Sequence, residues 1–362
     1  MAHETTIQFF DMFSGIGGFR AGLERAGGFT CIGHCEIDRH AERAYRAAHN
    51  VRESEVFYED ATRIDPDTMP EFGLLCAGFP CQSFSIAGRR KGFEDARGTL
   101  FFEVARVAAA RRPPYLLLEN VPGLLSHDSG RTFAAILDTL CQLHYSVEVQ
   151  VLDSKDFGVP QSRRRVYIIG YLDPRCAGKI LPFRRTNPEA LECLLPGRQD
   201  SRVYDPSGVS RTLLAKSGGV GGRTGLYAVG PGRNAGLLVK EATKSGYKEA
   251  HPGDSVDLGF ASQNTRRGRV GKDIAHTLNT GGSQGVVTPD LRIRRLMPRE
   301  CFRLQGFSET QIDRLLSVDS DTQAYKQAGN AVTVNVVHAI GLRLKAAHRA
   351  SVAAAGAGKE AA

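Results

Sequence analysis

The chain's 362 residues, 41% of them hydrophobic, suffice for one large domain or two moderate ones with a substantial core. No uninterrupted apolar run approaches the ~18 residues of a membrane span and no basic, apolar leader follows Met1, so the sequence predicts a cytoplasmic chain. Eight scattered cysteines without CxxC or HxxxH pairing exclude a dense disulfide framework and argue against structural zinc, while a formal charge of +8 favours a polyanionic partner.

The first half alternates between strand-like and helix-like periods. Residues 7–13 are an apolar run that enters the turn Asp11-Met-Phe-Ser-Gly15-Ile-Gly17-Gly18, and Phe19, Leu23 and Ala26 then keep helical spacing. Glycines at such a turn let a ligand approach the backbone, and the helix N-terminus favours an anionic group, although many glycine turns serve packing alone. Residues 29–37 form a second strand that Glu36 closes. That is the spacing at which an acidic side chain meets ribose hydroxyls; a solvated strand end is the alternative. NAD is the obvious rival ligand, but G-x-G-G is not its G-x-G-x-x-G fingerprint. Asp60 follows in a loop and says nothing by itself.

Ala41, Ala44, Tyr45 and Ala48 mark a second helix, and residues 72–77 a strand running into Gly78-Phe79-Pro80-Cys81-Gln82-Ser83-Phe84-Ser85. A lone thiol between proline and glutamine is either packing or chemistry. Leu100, Val104 and Val107 restore a helix, and the strand at 115–118 emerges into Glu119-Asn120-Val121. A carboxyl in that apolar setting has a raised pKa and can act as a proton donor; a helix-cap glutamate is the plain alternative. After a helix carrying Phe133, Ile136, Leu137 and Leu140 comes the alternating Tyr145, Val147, Val149, Val151. Gln161-Ser-Arg163-Arg164-Arg165 leads into a last strand, 165–172, whose short connection predicts an antiparallel pair. Along a strand Arg163 and Arg165 face one side and Arg164 the other, giving an anion site, a brace for a carboxylate, or simply a basic edge. The pattern predicts an α/β, doubly wound, Rossmann-like and mostly parallel sheet.

Past residue 181 strong helical periods vanish and short β-like pieces remain, with eight glycines between Gly218 and Gly236. Between Gln263 and Arg303 nine Lys or Arg residues stand against three acidic ones, an excess that predicts phosphate contact rather than general solvation. Residues 331–348 regain a helix that returns to the sheet, and the Ala/Gly-rich tail is expected to be disordered.

The ordered series DMFSGIGG, GFPCQSFS, ENV, QSRRR, RLMPRECFRLQG and QAGNAV resembles the DNA (cytosine-5)-methyltransferase family of restriction-modification systems and phages. The resemblance spans residues 10–346 apart from the glycine-rich middle. It implies a catalytic domain (1–182 plus 322–348) that uses S-adenosylmethionine without a metal. It also implies a smaller, mainly β target-recognition domain and hinge (183–321), and residues 349–362 are left as the disordered tail.

The implied activity is methylation of cytosine C5 within a short double-stranded DNA sequence, with the base flipped out of the duplex. Cys81 would add to C6 as a thiolate, Glu119 would serve N3, and Arg165 would sit near O2 with Arg163 beside it. Asn120 and Pro80 would shape the pocket, and residues 82–98 would close over it. Phe13, Gly15 and Gly17 would surround the cofactor, with Glu36 on its ribose, Asp60 on its adenine amine, and Leu100 and Asn330 nearby. Ile37 replaces the aromatic that family members often stack on adenine. The implied partner is duplex DNA, met by a monomer, with a restriction endonuclease sharing the target site without contact. Two alternatives remain at this point: tRNA cytosine-5 methylation, and a non-catalytic DNA-binding module, for which a thiol has no use.

Overall fold

The computed structural model describes residues 6–80, 100–183 and 292–360, and between them 193–195, 203–204, 226–227, 236–243, 246–259 and 269–289. Seven strands form the main sheet: β1 (Ile7–Met12), β2 (Phe29–Cys35), β3 (Val56–Tyr58), β4 (Leu74–Ala77), β5 (Tyr115–Asn120), β6 (Ser146–Asp153) and β7 (Arg164–Tyr171). Their order is β3-β2-β1-β4-β5-β7-β6. The first five run parallel, and β7 lies antiparallel to both β5 and β6.

The central strands are covered on both faces, which is why they read as unbroken apolar runs. On one face Met12, Leu75, Leu116, Leu118 and Ile168 pack under two helices, α3 (Leu100–Arg111) and α4 (Arg131–Gln142). The other face carries Phe9, Leu74, Leu117 and Ile169. It is covered by α1 (Gly18–Ala26) and by the last helix, α8 (Val334–Glu360), through Val336, Val337, Ile340 and Leu344. The two covering helices meet at glycine: a Cβ on Gly22 would stand 2.6 Å from Val337 Cβ. α2 (Arg39–Ala48) starts at Asp38, whose carboxylate accepts from the N–H groups of His40 and Ala41.

The middle of the chain holds small sheets. Strands β8 (Cys193–Leu195), β9 (Val203–Tyr204) and β10 (Leu226–Tyr227) form one, and β11 (Leu237–Lys240) pairs with β12 (Tyr247–Ala250). β13 (Ser255–Asp257), β14 (Val270–Gly271), β15 (Gln284–Val287) and β16 (Ile293–Arg295) form the third. Val239, Ala250, Val256, Val270 and Val287 make a small core shared by the second and third of these sheets.

The two largest departures from the sequence reading lie toward the C-terminus. Residues 298–330, read there as lacking helical periods, form α5 (Pro298–Leu304), α6 (Glu309–Val318) and α7 (Asp321–Asn330). Each is short, so few apolar positions repeat; α6 instead declares itself by a capping box between Ser308 and Gln311. Their apolar sides share a core with Ile16, Ala21, Ala44 and Ala48 of the first half. The tail expected to be disordered from residue 349 continues α8 to Glu360, in keeping with the high helix propensity of alanine. Among the described residues no helix is long and apolar enough to cross a membrane.

Candidate active site

The carboxyl ends of β1, β2, β4 and β5 meet the C-terminus of α7 around a cavity of about 430 Å³. Its wall contains Phe13, Gly15, Glu36, Ile37, Asp60, Pro80, Leu100, Glu119, Asn120, Arg163, Arg165 and Asn330. Gly17 lies behind this wall, packed on His49. Cys81 and the expected closing loop fall outside the described residues, as do Arg223, Arg233, Arg266 and Arg267.

One half of the cavity is built from the glycine turn. Phe13, Gly15 and Gly17 all have positive φ, at 57°, 54° and 81°, and the chain thereby folds back between β1 and α1. The Gly15 N–H donates to Glu36 Oε2 at 2.8 Å, and the Asp38 N–H donates to Oε1 at 2.8 Å. Burial pushes the Glu36 carboxyl up, and these backbone donors pull it part of the way back. Each oxygen keeps a lone pair for a hydroxyl. Next to it Ile37 is 67% exposed, a large aliphatic side chain on the rim with nothing packed on most of it. Asp60 Oδ1 caps a short turn by accepting from Thr62 N–H and Oγ1, while Oδ2 meets only Arg63 at 3.5 Å. A buried carboxylate, an open apolar face and a spare carboxylate oxygen fit a nucleoside better than a phosphate, which both acids would repel.

The other half centres on β5. Glu119 Oε1 meets Arg165 Nε at 3.0 Å. Burial raises the Glu119 carboxyl above its ordinary value, opposed by the charges of Arg165 and Arg163. Asn120 donates to the Phe79 carbonyl at 2.8 Å and accepts from Val121 N–H, so it pins the chain just before Pro80. That chain runs close to the carboxylate: a Cβ on Gly78 would stand 3.8 Å from Glu119 Oε2.

The alternation expected along Arg163–Arg165 is present, but the two inward arginines do different work. Arg165 braces Glu119, whereas Arg163 is buried and donates to the carbonyls of Leu278, Gly329 and Ala331 at 3.4, 2.9 and 2.9 Å. Burial lowers its guanidinium to about 10. Arg163 thus ties β7 to the end of α7, and Gln161 of the same motif reaches Leu304 and Leu278.

Sequence reasoning missed the rim opposite Glu36. Lys326 Nζ meets Asp38 Oδ2 at 2.6 Å, and Gln327 donates to the His40 carbonyl and to Asp319. The helix-cap position of Asp38 was open to view; a partner 288 residues away was not.

Among the described residues, much of the basic excess between Gln263 and Arg303 has partners within the chain. Arg269 is buried with its donors on the carbonyls of Asp257 and Lys240. Lys272 pairs with Asp254, Arg294 with Glu300, and Arg299 and Arg303 with Glu309. Arg295 takes the carbonyls of Gly281 and Gly282 and lies over the Tyr325 ring. A charge count in a sequence window could see neither those carbonyls nor the acids just beyond it.

Dinucleotide-binding sheets are mostly parallel, with the strand order 3-2-1-4-5-6. Here an antiparallel strand slots between the fifth and sixth, and such a sheet is that of a Rossmann-like methyltransferase. Comparison with known proteins narrows the class. The family model for C-5 cytosine-specific DNA methylases matches residues 7–213 and 226–346, and the chain belongs to that family. It is a DNA (cytosine-5)-methyltransferase of the restriction-modification type. The type II methyltransferase M.NgoBI of Neisseria gonorrhoeae is 38% identical, across 91% of this chain and 90% of that protein. The orphan methyltransferase M.SPRI of Bacillus phage SPR is 31% identical, across 92% and 96%. Among solved structures, a putative DNA modification methyltransferase from an Escherichia coli prophage superposes with a TM-score of 0.57 at 22% identity, covering 95% of this chain and 100% of that one. S. pombe Dnmt2 gives 0.54 at 18%, covering 94% and 98%, a likeness of fold alone.

Proposed function

We propose that the glycine-turn half of the cavity takes S-adenosylmethionine, the family's methyl donor, and that the Glu119 half takes a cytosine turned out of duplex DNA. The carrying observation is the Glu119–Arg165 pair beside the pinned segment that leads to Cys81. Phe13 and Gly15 would face the donor, with Glu36 on its ribose, Ile37 against its adenine, and Leu100, Asp60 and Asn330 around it. When bound, the donor supplies an electrophilic methyl group.

The chain's own residues prepare the base. Cytosine C5 is a poor nucleophile, so the Cys81 thiolate adds to C6, and the electrons of the C5–C6 double bond shift onto C5 and through C4 toward N3. Glu119, kept readily protonated by burial, hydrogen-bonds or protonates N3 and stabilises that charge. Arg165 fixes the carboxyl and offers its remaining donors to O2. After methylation a base removes the C5 proton, the double bond re-forms, and Cys81 leaves as thiolate. The enzyme is proposed to act as a monomer. A cognate endonuclease would meet this enzyme only through their shared target. Sequence choice is placed in the small sheets of residues 183–289, with the helices at 298–330 as their junction to the catalytic half.

Bisulfite sequencing of host DNA after expression tests the reading. Methylated cytosines should fall in one short sequence context; unmethylated DNA with soluble enzyme present would overturn it.

Backbone contact has a separate test. Among the described residues Arg112, Arg164, Lys179 and Lys240 are exposed cations whose side chains make no hydrogen bond or ion pair, and of these Arg164 stands in sequence between two cavity residues. Arg164→Ala should weaken DNA binding evenly across sequences and reduce the slope of log K against log salt by about one. An unchanged slope would remove Arg164 from the phosphate contacts.

A further inference from the structure

His49 follows the last turn of α2 and is 4% exposed, yet neither the glycine motif nor the chemistry proposed above makes use of it. Its Nε2 lies 3.1 Å from the Ile16 carbonyl oxygen. A carbonyl only accepts, so Nε2 carries the proton, and Nδ1, buried and without a partner, is bare. Burial and the nearby Arg20 charge push the imidazole down to about 3, which keeps it in this neutral form throughout the physiological range. The ring also fills the space under the next residue: a Cβ on Gly17 would stand 2.2 Å from His49 Nε2 and 2.9 Å from Tyr45 Cε2.

The turn is therefore held from both sides. Glu36 takes the Gly15 N–H at the cavity wall, and His49 takes the Ile16 carbonyl behind it. Gly15 and Ile16 both line the cavity. Between these two bonds the backbone has little freedom to relax out of its left-handed conformation at Gly15 and Gly17.

We propose that His49 is a positioning residue for the methyl donor: its Nε2–H bond to Ile16 and its ring under Gly17 hold the turn in its binding-competent shape. The inference rests on the donor occupying the glycine-turn half of the cavity. It assigns His49 to cofactor affinity and not to the chemical step, because the ring lies behind the wall and reaches no reacting atom.

The test is calorimetric titration of S-adenosylmethionine into wild type, His49→Gln, His49→Asn and His49→Phe, with steady-state kinetics alongside. The glutamine amide nitrogen can occupy the Nε2 position and donate to Ile16, the asparagine amide falls short, and phenylalanine keeps the ring without a donor. His49→Gln should bind within about threefold of wild type, whereas His49→Asn and His49→Phe should bind roughly tenfold more weakly, in line with one lost buried hydrogen bond. KM for the donor should follow the binding constants, and kcat at saturating donor should stay within about twofold. Equal affinities in all three variants, or a glutamine variant as weak as phenylalanine, would overturn the inference. If one variant fails to fold, the contrast between the remaining two and wild type still decides it. Wild type that binds no S-adenosylmethionine would instead overturn the reading of the cavity and leave no donor for His49 to serve.

Discussion

Cys81→Ala should take methyl transfer to background, on the order of 10⁴-fold or more below wild type, while duplex binding changes little. The large figure follows from the role proposed for the thiol. It creates the nucleophilic carbon, so its removal leaves the ring unactivated and not merely misplaced. Binding should survive because the phosphate and base contacts are proposed to lie elsewhere. Duplex carrying 5-fluorocytosine at the target provides the positive counterpart. With fluorine at C5 there is no proton for the base to remove, so the double bond cannot re-form and Cys81 cannot leave. Wild type should yield a protein–DNA band that survives denaturing electrophoresis, and Cys81→Ala should yield none. Normal turnover by the alanine variant, or no stable band with active wild type, would sink the assignment.

Glu119→Gln carries the second large effect. Glutamine can still offer an N–H to the ring but cannot deliver a proton, so kcat should fall by about 10²-fold or more. Wild-type activity should decline as pH rises through the elevated value of the Glu119 carboxyl, and the glutamine variant should lack that limb. Stability gives an independent check. The folded carboxyl sits above its ordinary 4.5, so its contribution is fully present below that value and is lost as pH rises through the folded one. The variant should therefore lose less stability than wild type between acid and neutral pH, in denaturant melts at both. A variant with wild-type kcat and an unchanged pH profile would show that proton supply comes from another group.

Much of this cavity was legible in the sequence because its residues sit at ends of buried strands. There the pattern switches abruptly from continuous apolar runs to glycine or charge, as at Asp11–Gly18, Glu36 and Glu119. β3 was missed since Val56–Tyr58 is three residues long and only partly buried, leaving no run to notice. Local periodicity gave the facing of Arg163 and Arg165. Their partners were another matter: Glu119 is 46 residues away and the carbonyls of Gly329 and Ala331 more than 160. Backbone acceptors carry no sequence label, which also explains why Arg269 and Arg295 read as free charge. Ile37 illustrates the reverse. Its exposure looks like a flaw in isolation and acquires a use only once Glu36, Asp60 and the glycine turn surround the same space.

The arrangement of α1 beneath α8 also sets an order of events during synthesis. Strands β1 to β7 and the four helices α1 to α4 have been synthesised by residue 183, but the helix that seals the second face begins only at Val334. At ordinary elongation rates the intervening stretch takes on the order of ten seconds, during which Phe19, Leu23 and their neighbours lack that cover. Over the same interval the cavity lacks Gly329, Asn330 and Ala331 from its wall, and Arg163 lacks two of its carbonyls. A nascent chain in this state has a complete sheet and an incomplete pocket. The segment proposed to choose the target is thus synthesised before the cavity wall can be completed.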